Sequence, residues 1–249
     1  MAKTRKKIQD DWMISNYRAK DCDLSCSDIC MPSSQLWSKL RTVYEDDKEV
    51  KKVGFKSFLG SALHEAIEKQ SEDGTIKEFS WVRTLEDGTK IGGTTDELRY
   101  RTVVDKWRLG DIKLKGAYPA KKFLGIGTKA DPYPPKEQDK EILQMSIYRW
   151  LFEGMFDIED KAVIYLFVPG HSSWEKFPEY QEVFLDLHSI DFVGKYIKEK
   201  LIEVNLEEQP ENTCPAWLCN FCDYTDVCGY YEEPEENNMD GFTDENTNS

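Results

Sequence analysis

Two stretches decide the reading: IGGTTDELRY, residues 91–100, and LGDIKLK, residues 109–115. Each alternates with a period of two, the pattern of β-strands whose successive side chains point to opposite faces. Asp96 lies inside the first stretch and Asp111 inside the second, among apolar or small neighbours where an uncompensated carboxylate is costly. Antiparallel neighbours would bring the two carboxylates within a few ångströms of each other. Like charges that close repel unless a cation lies between them, and hard oxygen donors of this kind suit Mg²⁺ or Mn²⁺. Lys113 stands two residues after Asp111 and so shares its face. An acid that holds a metal, beside an ammonium that orients or activates water and offsets phosphate charge, is equipment for phosphodiester hydrolysis. The backbone carbonyl of Ile112 is a further candidate metal ligand.

Outward from these strands the hydrophobic spacing predicts helices over Ser33–Tyr44 and Phe55–Lys69, the second carrying His64. Ile76–Leu85 reads as the first strand of a meander, closed by a turn at Glu86-Asp87-Gly88, and the third strand is expected over Thr102–Leu114. Residues 116–136 are rich in Gly and Pro and read as a loop. A helix over Glu137–Phe156, strands over Ala162–Val168 and Tyr180–Leu187, and an amphipathic helix over Ile190–Leu206 follow. This order predicts an α/β fold with a central mixed sheet flanked by helices, in one domain over residues 1–230.

The composition, 39% hydrophobic and 32% charged, suits a globular enzyme with a sizeable core. The run Ala162–Val168 falls far short of the roughly 18 residues that cross a bilayer, and no apolar segment follows the basic start MAKTRKK. A cytoplasmic protein without membrane partners is expected. The formal charge is −14, which disfavours broad nucleic-acid affinity. Half of it falls on the seven acids between Glu232 and Glu245, in a tail over 231–249 expected to be disordered. Any DNA binding must then rest on local basic patches and metal ions. Lys115, Lys121, Lys122 and Lys129 form one such candidate patch, or a solvated lysine run.

The seven cysteines, Cys22, Cys26, Cys30, Cys214, Cys219, Cys222 and Cys228, sit near the two ends with none between. An odd count with close pairs argues for metal ligation over a disulfide framework. Cys219, Cys222 and Cys228 have the spacing C-x₂-C-x₅-C. A fourth ligand would come from Cys30, Cys26, Cys22 or Cys214, and the three N-terminal cysteines could instead form a separate site. Zinc is held by four cysteines at similar spacings.

GTTDEL, then GDIK, with GSALHEAIE upstream and Gln144-Met-Ser-Ile-Tyr148 downstream, resembles the ordered motifs of RecB-type members of the PD-(D/E)XK nuclease superfamily. The resemblance covers roughly residues 55–150 and implies a restriction-endonuclease-like fold. It assigns His64, Asp96 and Asp111 to the metal, Lys113 to water activation, and Gln144 and Tyr148, which share a helical face, to strand or active-site contact. WLCNFCDYTDVC resembles the C-terminal cysteine motif of AddB-type nuclease domains and CRISPR-associated RecB-like exonucleases. In those families an N-terminal cysteine completes a [4Fe–4S] cluster, and CMPSSQLW favours Cys30 for that place, with one residue inserted before the proline. The cluster would join the chain ends. The implied activity is an exonuclease on DNA ends, single-stranded or frayed, in recombination or repair, with any helicase a separate chain. A flap-type endonuclease and a non-catalytic DNA-end binding protein are the alternatives.

Overall fold

The computed structural model describes residues 22–42, 60–63, 65–66, 74–127, 132, 134–169, 179–214, 219 and 222–230. His64 lies outside these, as do Lys129 and the tail. The described residues divide between two compact units, one of residues 22–31 and 60–202, the other of residues 32–42 and 203–230.

The first unit holds a mixed six-stranded sheet. Its strands are β1 (Leu24–Ser25), β2 (Thr75–Thr84), β3 (Lys90–Arg101), β4 (Lys106–Leu114), β5 (Lys161–Phe167) and β6 (Tyr180–Asp186). The order is β1-β3-β4-β5-β6, with β2 also paired to β3. β1–β3 and β4–β5 are parallel, and the other pairs antiparallel. Helices flank the sheet: α1 (Cys26–Ile29), α3 (Ala117–Leu124), α4 (Asp139–Leu151) and α5 (Ile190–Val204), the helix α2 (Ser33–Arg41) belonging to the second unit. This is the mixed α/β architecture that the element order implies. Among the described residues no helix is long and apolar enough to cross a membrane.

Three departures from the pattern reading have local causes. The stretch 116–136 is not all loop, because Ala117–Leu124 is helical. Its Pro119 sits in the first turn, where no amide is required, and Gly125 ends it in the left-handed conformation at φ 66°. The Gly and Pro that suggested a loop are the punctuation of a helix. β4 begins at Lys106 because residues 102–105 turn, with Asp105 at φ 55°. α4 stops at Leu151, and Gly154 at φ 83° turns the chain before Phe156.

The core lies on one face of the sheet. Leu98, Leu109, Ile164 and Leu166 are wholly buried there, and Met145, Leu151 and Phe152 from α4 and its end are buried with them. Each such side chain contributes about 1.5–3 kcal/mol by leaving water. Phe79, Phe156 and Trp107 extend the layer, with ring centroids 5.1 and 5.3 Å apart.

β3 does not alternate strictly. Residues seven apart in a regular strand face opposite sides. Yet a Cβ at Gly93 would lie 2.7 Å from the Tyr148 ring on α4, while Tyr100 packs through Trp107 on Phe156, just past the same helix. The pleat therefore slips once between them. The β2–β3 ladder marks the place: it passes from Lys77↔Glu97 to Phe79↔Thr95, skipping Glu78 and Asp96, and Glu78 has φ 50°. Such irregularities re-aim side chains.

In the second unit, α2 is bound to the segment that begins at Glu203. Trp37 Nε1 donates to the Leu206 carbonyl at 2.9 Å, and Arg41 donates to the carbonyls of Val204 (3.1 Å) and Leu206 (2.7 Å). Gln209 Nε2 reaches Ser34 O at 3.2 Å and Ser38 Oγ at 3.0 Å.

Candidate active site

The site forms where β3 changes partners. β4 pairs with β3 from Arg101↔Lys106 up to Glu97↔Gly110, and β1 pairs with it at Ile91 and Gly92. One more step of the β4 ladder would set Asp96 opposite Asp111. Instead Ile112 donates its backbone N–H to Asp96 Oδ2 at 2.7 Å. A carboxylate thus takes the donor that a strand partner would otherwise have used, and the two strands fork around it.

Asp111 is 5% exposed, and its Oδ2 lies 2.9 Å from Lys113 Nζ. Burial alone would lower the lysine's pKa. Burial is the largest single influence, but Asp111, Asp96 and Glu141 together outweigh it, and the pKa is raised. Lys113 is therefore an ammonium held among acids, suited to charge stabilisation and to orienting water.

α4 closes the site from the helix side. Gln144 Nε2 donates to Tyr148 Oη at 3.2 Å. Burial pushes the Tyr148 phenol up, and Cys26, Asp111 and Asp96 push it further against the opposing Gln144 hydrogen bond. The ring is thus in the field of both carboxylates. The glycines of IGG are what let these groups approach. A Cβ at Gly93 would sit 2.6 Å from Cys26 Sγ, and one at Gly92 would sit 2.7 Å from Cys22 Sγ.

Glu141 was not singled out by the sequence. It is 8% exposed, and its Oε1 is 2.7 Å from Lys115 Nζ. Its signal is its place three residues before Gln144 and seven before Tyr148, one stripe of α4. Lys115 and Lys122 are both ion-paired, the second with Glu137 at 3.0 Å, so a phosphate would compete with those acids.

Asp96, Asp111, Lys113, Gln144 and Tyr148 thus share one neighbourhood of the first unit, with the Ile112 backbone at its edge. Two carboxylates and a backbone carbonyl are hard oxygen donors that suit Mg²⁺ or Mn²⁺. Among the described residues no three His, Cys, Asp or Glu side chains are gathered as a metal's ligands.

The seven cysteines are all described, and none is in a disulfide. Cys22, Cys26 and Cys30 belong to the first unit, the other four to the second. Burial pushes the Cys30 thiol up to about 12, opposed by Lys140, Lys200 and Lys113, and Cys26 is raised by burial, then by Cys30 and Cys22. In the second unit the sulfurs of Cys222 and Cys228 accept from Gln35 (3.9 Å) and Gln209 (3.5 Å), and Cys214 Sγ lies 3.6 Å from Ser34 Oγ. Amide donors on sulfur are compatible with thiolates.

The fold is shared with a solved protein. The chain is similar to the one described as "Crystal structure of SSO0001", with 15% sequence identity and a TM-score of 0.54 over 91% of this chain and 96% of that one. At that identity the likeness is one of fold alone. No family model matches the chain, and no curated protein matches it.

Proposed function

We propose that this protein is a metal-dependent DNA nuclease of the PD-(D/E)XK superfamily, RecB type, acting as an exonuclease on single-stranded or frayed DNA ends. The observation that carries the reading is the convergence of Asp96, Asp111 and Lys113 at the β3–β4 fork, with Tyr148 in the field of both acids. Asp96, Asp111 and the Ile112 carbonyl would hold Mg²⁺ or Mn²⁺, which supplies Lewis-acid charge for phosphodiester cleavage. Lys113 offsets charge that develops on the phosphate and orients the attacking water. Gln144 and Tyr148 position the strand. His64 completes the metal site in the family this chain resembles. An accompanying proposal is metal ligation by Cys219, Cys222 and Cys228 with a fourth thiolate from among Cys30, Cys26, Cys22 and Cys214, as [4Fe–4S] in preference to zinc. Iron and zinc analysis of anaerobically purified protein separates the two.

Asp111→Ala and Lys113→Ala should each abolish degradation of end-labelled single-stranded DNA in Mn²⁺, with circular dichroism unchanged. Full activity in either folded variant would overturn the assignment. Circular single-stranded DNA should survive; its cleavage would make the enzyme an endonuclease.

A further inference from the structure

The opposite face of the sheet carries a groove lined by three arginines. We propose that an arginine groove on this face binds the phosphates of single-stranded nucleic acid, with Phe184 as a stacking platform for a base. Glu97, Arg99 and Arg101 alternate with the core residues of β3 and so point away from α4. Their neighbours on that face are Arg108 of β4, Tyr165 of β5 and Phe184 of β6, and the arginines, Tyr165 and Phe184 line a cavity of about 200 Å³.

Arg99 and Arg108 are directly opposite one another, a like-charge pair that destabilises a sheet unless something offsets it. Buried acids do so from beneath. Glu97 is bonded to Lys77, to Arg99 (3.1 Å) and to the Tyr165 hydroxyl (2.5 Å), and Glu159 accepts from Arg108 at 2.7 Å and pairs with Arg101. Gly110 leaves the space for this, since a Cβ there would lie 2.8 Å from the Tyr165 ring. Exposure orders the layers: the Glu97 side chain is 3% exposed and that of Arg99 41%, while Glu159 is 10% and Arg101 32%. The acids thus hold the guanidiniums from below, and in each of these pairs the arginine is the more exposed partner. In a chain of formal charge −14, four cations are gathered here against Glu97, Glu159 and Glu182.

The ligand class follows from the groups presented. Guanidiniums match phosphate oxygens in pairs, and a phosphate here would share Arg99, Arg101 and Arg108 with Glu97 and Glu159. Phe184 is 53% exposed, and the Arg108 guanidinium lies 5.2 Å from its ring centroid. Arginines beside a half-exposed aromatic ring suit a phosphate chain with stackable bases.

The test uses the full chain in EDTA, so that binding is read without cleavage and the result stands apart from whether the acid–lysine site cuts DNA. Fluorescence anisotropy with a labelled oligothymidylate gives Kd and its salt dependence. Phe184→Ala should weaken binding roughly fivefold or more. Arg101→Gln, which leaves Glu159 held by Arg108, should lower the slope of log K against log salt by about 0.7. Unchanged Kd and slope in both folded variants would reduce the groove to a salt-bridge lattice and overturn the proposal. It would also fall if thymidine monophosphate matched the oligonucleotide in affinity, or if polyglutamate displaced the oligonucleotide at equal charge concentration.

Discussion

Gly93 shows how much of the candidate site rests on one missing atom group. Its position is bounded by Cys26 Sγ and the Tyr148 ring, both buried, so a methyl there has nowhere to go without moving one of them. Gly93→Ala should cost about 1–3 kcal/mol, read as a lower urea midpoint with unchanged slope. Adding Cys26→Ala should recover part of that loss, and strictly additive losses in the double variant would show that the two groups do not share the space. The sequence displayed the glycine but not its neighbour. Cys26 lies 67 residues away in the chain, and only the parallel pairing of β1 with Ile91 and Gly92 brings it there. The acids and the lysine were legible for the opposite reason: Asp111 and Lys113 are two residues apart in one strand, so strand geometry alone aligns them. Glu141 was not legible, because a charged residue on a helix is solvated far more often than buried.

At the scale of elements, the strands were readable wherever alternation was clean, and their ends were not. α3 was hidden by its own terminators. Gly125 at φ 66° is required there by backbone sterics, and Gly125→Ala should lose about 1–2 kcal/mol, measured by thermal or urea unfolding. Wild-type stability in that variant would mean the cap had rearranged. The slip in β3 was equally invisible, since IGGTTDELRY scans as one strand whether or not its pleat is interrupted. Glu78, at φ 50° beside the slip, carries no signal that a strand glutamate would lack.

For the molecule as a whole, the division into two units unites stretches far apart in the chain: residues 32–42 belong with those from 203 onward. Arg41 is a principal tie within that second unit, stacking on Trp37 with its Cζ 3.9 Å from the ring centroid and donating to two carbonyls. Arg41→Ala should raise amide hydrogen exchange in 33–41 and 203–209 and leave β3, β4 and β5 protected. Equal loss of protection throughout would show that the second unit does not open locally.

By itself the sequence determined the α/β class, the strands that bear Asp96, Asp111 and Lys113, and the helical face shared by Gln144 and Tyr148. These are local matters, set by periods of two and 3.6 residues. Only the tertiary structure decided the fork at Asp96, the approach of Cys26 to Tyr148, the burial of Glu141 and the arginine groove behind the sheet. Those depend on which strands become neighbours and where their registers end. Such long-range pairings are chosen by burial over the whole chain, and no short window of residues contains them.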